Sequence, residues 1–197
     1  MRQKEQKEWL QSWCDDTNNS DLPRVLLIGD SITRAYQGVV REGLKGICYV
    51  DYVATSYAID SPIYHKLINV FVQDSDYAVI HFNHGLHGIH ISKRTYQSGV
   101  KKLIKKIADK KKIVLATTTL VYNGTTKRRH GAWMKRVRER NAAIFEIANQ
   151  FGCKINDLFA TSQEMPREFF MSDGIHHTLQ GVERLAQAVV KSIKNSL

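Results

Sequence analysis

Three side chains that could cooperate in attacking a carbonyl group occur near the two ends of the chain. Ser31 lies two positions after the largely apolar run Arg24–Gly29, and Asp173 and His176 stand three residues apart close to the C-terminus. A serine hydroxyl is a weak nucleophile until a neighbouring imidazole takes its proton, and a carboxylate commonly orients that imidazole. These residue types therefore predict a nucleophile, a general base and its orienting group, provided that the fold brings them together.

The turn around Ser31 favours two interpretations. The sequence predicts a helix over Ile32–Gly43, so the serine lies where a strand passes into a helix N-terminus. Free N–H groups and the helix dipole at that end favour developing negative charge. Serine and aspartate are also the preferred residues for capping a helix. The tripeptide Gly29-Asp30-Ser31 by itself favours a helix cap over a nucleophile.

The segment Asp173-Gly174-Ile175-His176 also permits two interpretations. On a turn, the spacing of three places the carboxylate and the imidazole on one face. A carboxylate bound to one ring nitrogen leaves the other nitrogen free to accept a proton. An Asx turn with a capping histidine is the alternative. His177 supplies a second imidazole directly beside the first.

Alternating strand-like and helix-like segments predict an α/β fold with a mostly parallel sheet. Predicted strands are Arg24–Ile28, Ile47–Val53, Tyr77–Phe82, Ile113–Thr118 and Cys153–Ile155. Besides Ile32–Gly43, predicted helices are Thr95–Lys110, Trp133–Phe151 and Thr178–Ile193. A further helix around Trp9, Leu10 and Trp13, then a polar loop, is predicted for residues 1–20. No linker or repeat interrupts the pattern, so we expect a single domain over residues 1–197.

Asn83 follows the third predicted strand, within a segment that contains four histidines. In a doubly wound sheet with strand order 2-1-3-4-5, the first and third strands are neighbours and ligands bind beyond their carboxyl ends. Asn83 would then face Ser31, and its amide could donate to an oxyanion. Histidines 81, 84, 87 and 90 lack any acidic neighbour in this segment. They therefore indicate a polar pocket rather than a metal site.

Composition narrows the class of protein. The chain has 197 residues, 43% of them hydrophobic, and no window that resembles a membrane span. Cys14, Cys48 and Cys153 are far apart and odd in number, which argues against a disulfide framework. The polar N-terminus is unlike a secretory signal, so we expect a cytoplasmic location unless a leader has been removed.

The charge is strongly basic and unevenly placed. The formal net charge is +10, and residues 77–138 hold fifteen lysines and arginines but one carboxylate, Asp109. Such a surface can attract anionic partners, nucleic acid among them. The sequence contains no zinc-finger, basic-zipper or RNP-type signature. A solvated helix face with a basic loop is the alternative explanation.

Taken together and in this order, Gly29-Asp30-Ser31-Ile32, the central Asn83 and Asp173-Gly174-Ile175-His176 resemble the motifs of the SGNH, or GDSL, hydrolases. The segment Phe82-Asn83-His84-Gly85-Leu86-His87-Gly88 is similar to the third motif of a branch with an Asn-x-Gly-Leu-His-Gly loop. The resemblance spans Arg24 to Ala188. It implies a three-layer α/β/α sandwich with a flavodoxin-like, five-stranded parallel sheet.

The resemblance also implies ester hydrolysis without a metal or other cofactor. Ser31 would be the nucleophile, His176 the base and Asp173 its orienter. The Ser31 N–H and the Asn83 side chain would form the oxyanion hole. The family's second motif usually offers a glycine N–H as a third donor. No glycine occurs between Asp51 and Pro62, so the backbone of Ile59 or Asp60 would have to supply it.

Loops at the same sheet edge would bind the substrate. The candidate contacts are His84, His87, Tyr122 and Arg128, and the basic cluster Lys127, Arg128 and Arg129 would favour an anionic substrate. The leading interpretation is a serine esterase or deacylase that acts on a polar ester such as an O-acetylated carbohydrate. The alternatives are a binding protein that kept the fold but catalyses poorly, and a charge-driven nucleic-acid-binding module.

Overall fold

A computed structural model describes residues 3–107, 112–126, 128 and 131–197 of the chain. The strands are β1 (Leu10–Trp13), β2 (Arg24–Gly29), β3 (Tyr49–Thr55), β4 (Tyr77–Asn83), β5 (Lys112–Ala116) and β6 (Lys154–Asn156). The helices are α1 (Ser31–Gly43), α2 (Pro62–Asp74), α3 (Lys93–Ile107), α4 (Gly131–Phe151), α5 (Leu158–Gln163) and α6 (Leu179–Lys194). The end of the predicted helix Thr95–Lys110 lies outside the described residues.

The six strands form one sheet in the order β1-β3-β2-β4-β5-β6. All neighbours from β3 to β6 pair in parallel, which confirms the predicted five-stranded 2-1-3-4-5 sheet. The sheet has one strand more than predicted, because β1 adds to β3 in antiparallel register from Leu10↔Thr55 to Trp13↔Tyr52.

The prediction of an N-terminal helix was therefore wrong. All four residues of β1 are exposed, so no apolar helical face is buried there. Backbone pairing decides the structure instead, because an uncovered β3 would present a row of unpaired N–H and C=O groups. The segment before β1 is held in place by Thr55 and Ser56: the Thr55 hydroxyl donates to the Trp9 carbonyl at 2.6 Å, and the Trp9 N–H donates to Ser56 Oγ at 2.8 Å.

Helices cover both faces of the sheet and make the three layers. In β2, Val25 and Leu27 join the core shared with α1 and α6, whereas Leu26 and Ile28 join the core shared with α2, α3 and α4. All four side chains are fully buried, as expected for a central parallel strand. This arrangement fixes the carboxyl end of β2, where Ser31 follows.

Sequence analysis missed α2, although a signal was present. Pro62 occupies the first turn after Ser61 at the cap position, and the buried Tyr64 and Ile68 are four residues apart. A proline at that position followed by apolar residues at helical spacing is a recognised helix start. None of the helices in the described ranges is long and apolar enough to cross a membrane.

Candidate active site

Ser31 is the first residue of α1, directly beyond the carboxyl end of β2. The turn is tight: a Cβ on Gly29 would lie 1.9 Å from Thr33 Oγ1 and 2.4 Å from the Asn83 carbonyl oxygen. Only glycine fits such a close approach of two chain segments. The turn therefore holds Ser31 against the end of β4, where Asn83 pairs with Gly29.

Asp30, and not Ser31, caps the helix. Asp30 Oδ1 accepts from the Ile32 N–H at 3.0 Å. Its other oxygen, Oδ2, accepts from the N–H groups of Gly85 and Leu86, each at 3.1 Å. The same buried carboxylate thus caps α1 and fixes the loop after β4, which leaves the Ser31 hydroxyl free for another partner.

That partner is His176. Its Nε2 lies 3.0 Å from Ser31 Oγ, although the two residues are 145 positions apart in the chain. Its Nδ1 lies 2.6 Å from Asp173 Oδ2. The structure therefore connects carboxylate, imidazole and hydroxyl in one hydrogen-bonded line, with the spacing that a Ser-His-Asp arrangement requires.

Asp173 is held by its own loop. Oδ1 accepts from the backbone N–H groups of Ile175 at 2.8 Å and His176 at 2.9 Å. Partial burial acts to raise the pKa of Asp173, but hydrogen bonds from the His176 ring and from these two N–H groups outweigh it and lower the pKa below its usual value. The carboxylate therefore stays ionised beside the imidazole. Both interpretations of this segment therefore hold, because Asp173 forms an Asx turn through Oδ1 and pairs with His176 through Oδ2.

The neighbouring imidazole of His177 points elsewhere. His177 is buried against the ring of Phe170, with ring centroids 4.6 Å apart. Burial lowers the pKa of His177 to about 4. The structure thus brings His176, and not His177, to the serine.

Asn83 is buried at the end of β4, and its side-chain amide donates to Tyr36 Oη at 3.2 Å. Burial is the main reason that the pKa of Tyr36 is raised, so the phenol stays protonated. A primary amide has two hydrogens. Within the described part of the chain, the second amide hydrogen of Asn83 has no hydrogen-bond acceptor, which leaves it available for an oxyanion.

Of the loop histidines, only His87 reaches the cavity in front of Ser31. Its ring contacts Trp9 edge to face, with centroids 6.0 Å apart. The prediction that His84 contacts substrate was wrong, because its ring is buried, 4.8 Å from the ring of Tyr64. His81 is likewise buried, with Nε2 3.1 Å from the Asn156 amide. Across the described residues, no group of acidic, cysteine and histidine side chains is arranged to hold a metal.

The two other predicted contacts, Tyr122 and Arg128, do not line this cavity. Tyr122 packs under Arg167 at 4.7 Å and supports the Asp173 loop by donating its N–H to the Gly174 carbonyl at 2.8 Å. Arg128 is exposed, and its carbonyl accepts from the Asn123 N–H at 2.6 Å. Lys127 and Arg129 of the predicted basic cluster lie outside the described residues.

The third oxyanion donor, the backbone of Ile59 or Asp60, stays a prediction. Ile59 and Asp60 line a separate surface pocket beside α3, together with Arg94 and Lys102. The two donors at hand are the Ser31 N–H, which has no acceptor within its helix, and the Asn83 amide.

The cavity around Ser31 has a volume of about 260 Å³. Its walls mix aromatic, apolar and charged side chains. Besides Ser31 and His176, they are Glu5, Trp9, Arg34, Leu86, His87, Ile89, Trp133 and Ile175. Sequence analysis missed Glu5, Trp9, Arg34 and Trp133 as site residues, because each belongs to a segment without a motif. For Arg34, its position three residues after Ser31 was an available signal.

Arg140 of α4 is a further residue that the sequence did not point to. Its buried guanidinium donates to the carbonyls of Gly85 at 2.6 Å and His87 at 2.8 Å, and also to that of Gly88. It lies 4.8 Å from the ring centre of Tyr96. Burial lowers the pKa of Arg140, and three carbonyl acceptors replace the water that the cation has lost. Arg140 and Asp30 together hold the loop after β4.

Gly174 should be essential for the geometry of Asp173 and His176. It adopts φ +74°, and a Cβ there would lie 2.3 Å from the Tyr122 carbonyl oxygen. We expect Gly174→Ala to cost about 2 kcal/mol or more of unfolding free energy, from backbone strain and from the clash, and to lower turnover as His176 moves. Urea denaturation and ester hydrolysis measure the two effects.

Gly152 provides the matched control. It has a similar φ of +65°, but a Cβ there would meet nothing within 4 Å. Gly152→Ala should therefore cost about 1 kcal/mol from strain alone and leave turnover unchanged. Equal effects of the two substitutions would show that the contact with Tyr122 has no role.

The fold is shared with known ester-cleaving enzymes. Similar solved structures include a lipase/acylhydrolase from Enterococcus faecalis (TM-score 0.70, 20% identity, covering 88% of this chain and 96% of that one). An acetylxylan esterase from Geobacillus stearothermophilus has a TM-score of 0.71 and 14% identity, over 87% of this chain and 94% of that one. A GDSL-like lipase from Bacteroides thetaiotaomicron has a TM-score of 0.70 and 15% identity, over 88% of this chain and 89% of that one. No protein-family model and no curated protein sequence matches the chain. The chain therefore has the fold of the SGNH hydrolases.

Proposed function

We propose that this chain, which has the SGNH hydrolase fold, is a serine esterase that cleaves a carboxylic ester through an acyl-serine intermediate. One observation carries the proposal: the hydrogen-bonded line from Asp173 Oδ2 to His176 Nδ1 (2.6 Å) and from His176 Nε2 to Ser31 Oγ (3.0 Å). Such a line serves proton transfer at a nucleophile, and it borders an open cavity.

In the first half of the reaction, Ser31 Oγ attacks the ester carbonyl while its proton passes to His176 Nε2. The C–O bond to the alcohol then breaks, and the imidazolium gives its proton to the departing alkoxide. The product is an alcohol and an acyl group on Ser31. The ionised Asp173 stabilises the imidazolium during this step and keeps its ring in place.

In the second half, water attacks the acyl carbonyl and His176 Nε2 takes a proton from it. The bond to Ser31 Oγ breaks, and the same proton returns to the serine. A carboxylic acid leaves and the enzyme is restored. No cofactor takes part in either half of this proposed reaction.

Negative charge develops on the carbonyl oxygen in both halves. The Ser31 N–H at the start of α1 and the free hydrogen of the Asn83 amide are the proposed donors. One such donor contributes about 3 to 4 kcal/mol of transition-state stabilisation in serine hydrolases. We therefore expect turnover to depend strongly on the Asn83 amide.

The cavity supports a small or polar substrate. Its volume of about 260 Å³ is below the range typical of sites for drug-sized ligands. Trp9 and Trp133 add aromatic surface to charged and polar walls. An O-acetylated carbohydrate or a comparable polar ester meets these conditions.

A covalent serine probe tests the proposal. We expect a fluorophosphonate to form one adduct on the wild-type protein, located by mass spectrometry at Ser31. Ser31→Ala should abolish labelling, and His176→Ala should slow it by about 100-fold or more, because the hydroxyl loses its base. Wild-type protein should also hydrolyse p-nitrophenyl acetate.

Two variants serve as controls. Ser172 is an exposed serine directly beside Asp173, and His177 is the imidazole next to His176. Ser172→Ala and His177→Gln should both keep the label on Ser31. A folded wild-type protein that is neither labelled at Ser31 nor able to hydrolyse p-nitrophenyl acetate would refute the esterase and leave a binding protein with this fold.

A further inference from the structure

We propose that Arg34 makes the cavity selective for esters that carry a carboxylate close to the scissile bond. This inference rests on the proposed esterase activity and specifies the chemistry of its substrate. It starts from an exposed arginine in the wall of the cavity that pairs with no carboxylate of the described residues.

Arg34 lies on α1, three residues after Ser31, and lines the same cavity as Ser31 and His176. Three residues of helix rise by about 4.5 Å, and side chains on a helix lean toward its N-terminus. The guanidinium is therefore directed toward the end of the helix where the serine stands. A group bound to it would lie only a few bonds from the attacked carbonyl carbon.

Trp9 holds the guanidinium in place from one side. The Arg34 guanidinium carbon lies 4.8 Å from the centre of the Trp9 ring. A cation–π contact of this kind needs no hydrogen-bond acceptor, so the guanidinium N–H groups stay available to bind both oxygens of a carboxylate. Throughout the described ranges, no aspartate or glutamate forms an ion pair with Arg34.

Glu5 also lines the cavity, but it is engaged elsewhere. Its Oε1 accepts from the Gly88 N–H at 2.7 Å and lies 3.7 Å from His87 Nδ1. Glu5 thereby fastens the N-terminal segment to the loop after β4. Among the residues that the structure describes, no counterion faces the Arg34 guanidinium in this cavity of about 260 Å³. The overall charge of +10 would further attract an anionic substrate.

The carboxylate could belong to either half of the ester. An acylated hydroxy acid would carry it on the alcohol, and the monoester of a dicarboxylic acid would carry it on the acyl chain. Either kind of ester would present a carboxylate to Arg34. Two pairs of esters, each with an anionic and a neutral member, distinguish the two cases. The alcohol pair is 4-acetoxybenzoate and its neutral analogue 4-acetoxybenzamide, and the acyl pair is p-nitrophenyl hemisuccinate and p-nitrophenyl butyrate.

We expect the wild type to prefer the anionic member of one pair. Arg34→Gln should lower kcat/KM for that ester by about 10- to 100-fold, the size of one lost charge-assisted hydrogen-bonded contact, and change the neutral ester by less than about twofold. Arg34→Lys should retain part of the preference, because it keeps the charge but not the two-pronged geometry. The pair that responds identifies which half carries the carboxylate.

Arg41 provides the matched control. It lies on the same helix, stacks on Trp13 of β1 at 5.3 Å and does not line the cavity. If Arg34 only anchors the N-terminal segment, Arg34→Gln and Arg41→Gln should affect all four esters alike. That result, or a wild type that shows no preference in either pair, would overturn the proposal.

A binding measurement separates this inference from the esterase proposal. If the wild type hydrolyses none of the esters, the proposed function fails. The anion site is then tested by titration calorimetry, which measures the affinity of the wild type and of Arg34→Gln for the stable amides 4-acetamidobenzoate and hemisuccinamide. Binding of either carboxylate that weakens about 10-fold or more in Arg34→Gln would still support the anion site. Absence of binding, or equal binding to both proteins, would refute it.

Discussion

Asp173→Asn should lower kcat for p-nitrophenyl acetate by about 10⁴-fold while leaving the fold intact, the size of effect known for the same change in a serine protease triad. The structure supplies the reason. Two backbone N–H groups, from Ile175 and His176, donate to Oδ1 of this side chain. In the variant, only the amide oxygen can occupy that position, because an NH₂ group cannot accept from N–H donors.

The amide nitrogen must then face His176 Nδ1, where Oδ2 now lies at 2.6 Å. An NH₂ group donates, so Nδ1 becomes the acceptor and the ring proton moves to Nε2. That nitrogen can no longer take the proton of Ser31, which stands 3.0 Å away. The positions of the side chains would be kept, but His176 would carry its proton on Nε2 instead of Nδ1.

Asp157 offers a matched control for this substitution. Its Oδ1 caps α5 by accepting from the Ala160 N–H at 3.1 Å and also accepts from Thr117 Oγ1 at 2.7 Å. Asp157→Asn changes a capping carboxylate of the same type that does not line the cavity. It should leave kcat within about twofold of the wild type. More than a tenth of wild-type kcat in Asp173→Asn would show that Asp173 does not set the tautomer.

The second large effect concerns stability in acid. Burial lowers the pKa of His81, His84 and His177 to about 4 in the folded protein. An unfolded histidine has a pKa of about 6.5. Below that pH the unfolded chain binds protons at these three positions and the folded chain does not, so the free energy of unfolding falls as the pH drops from about 6.5 toward 4.

Each such histidine contributes a slope of about 1.4 kcal/mol per pH unit, and three together about 4 kcal/mol per unit near pH 5. Typical domains have only about 5 to 15 kcal/mol of unfolding free energy. We therefore expect the urea midpoint to fall steeply between pH 6.5 and 5, and the protein to unfold in acid without denaturant. Urea titrations at pH 7.5, 6.5, 5.5 and 5.0 measure this. An unchanged midpoint across that range would contradict it.

His84→Phe isolates one of the three contributions. In the described part of the chain, neither ring nitrogen of His84 has a hydrogen-bond partner of normal geometry. Burial lowers the pKa of His84 and outweighs the nearby Asp30 carboxylate and Gly29 backbone, which act to raise it. An aromatic ring without nitrogen atoms should therefore be tolerated beside Tyr64. We expect the slope of unfolding free energy against pH to fall by about a third. A steeper or equal slope would show that His84 does not titrate on unfolding.

Much of the fold followed from local patterns. The parallel strands β2 to β6 lie within two residues of their predicted positions, because a buried strand bounded by turn residues is encoded in adjacent positions. The N-terminal segment shows the limit. Its backbone pairs with β3, about forty residues later in the chain, and nothing in its own sequence indicates that partner. Pairing across such a distance overrides local preference.

The site divides in the same way. Residue types and their order along the chain identified Ser31, Asp173, His176 and Asn83, because a tight turn before a helix and a carboxylate three residues before an imidazole are local features. The resemblance had already selected His176 over His177, and the structure places His176 at the serine. Only the tertiary structure decided that Asp30 caps α1 and that His84 is buried. The walls of the cavity, Arg34 and Trp9 among them, come from separate elements joined by packing and by a β-strand pairing. Their meeting depends on contacts between distant segments, which no short stretch of sequence encodes.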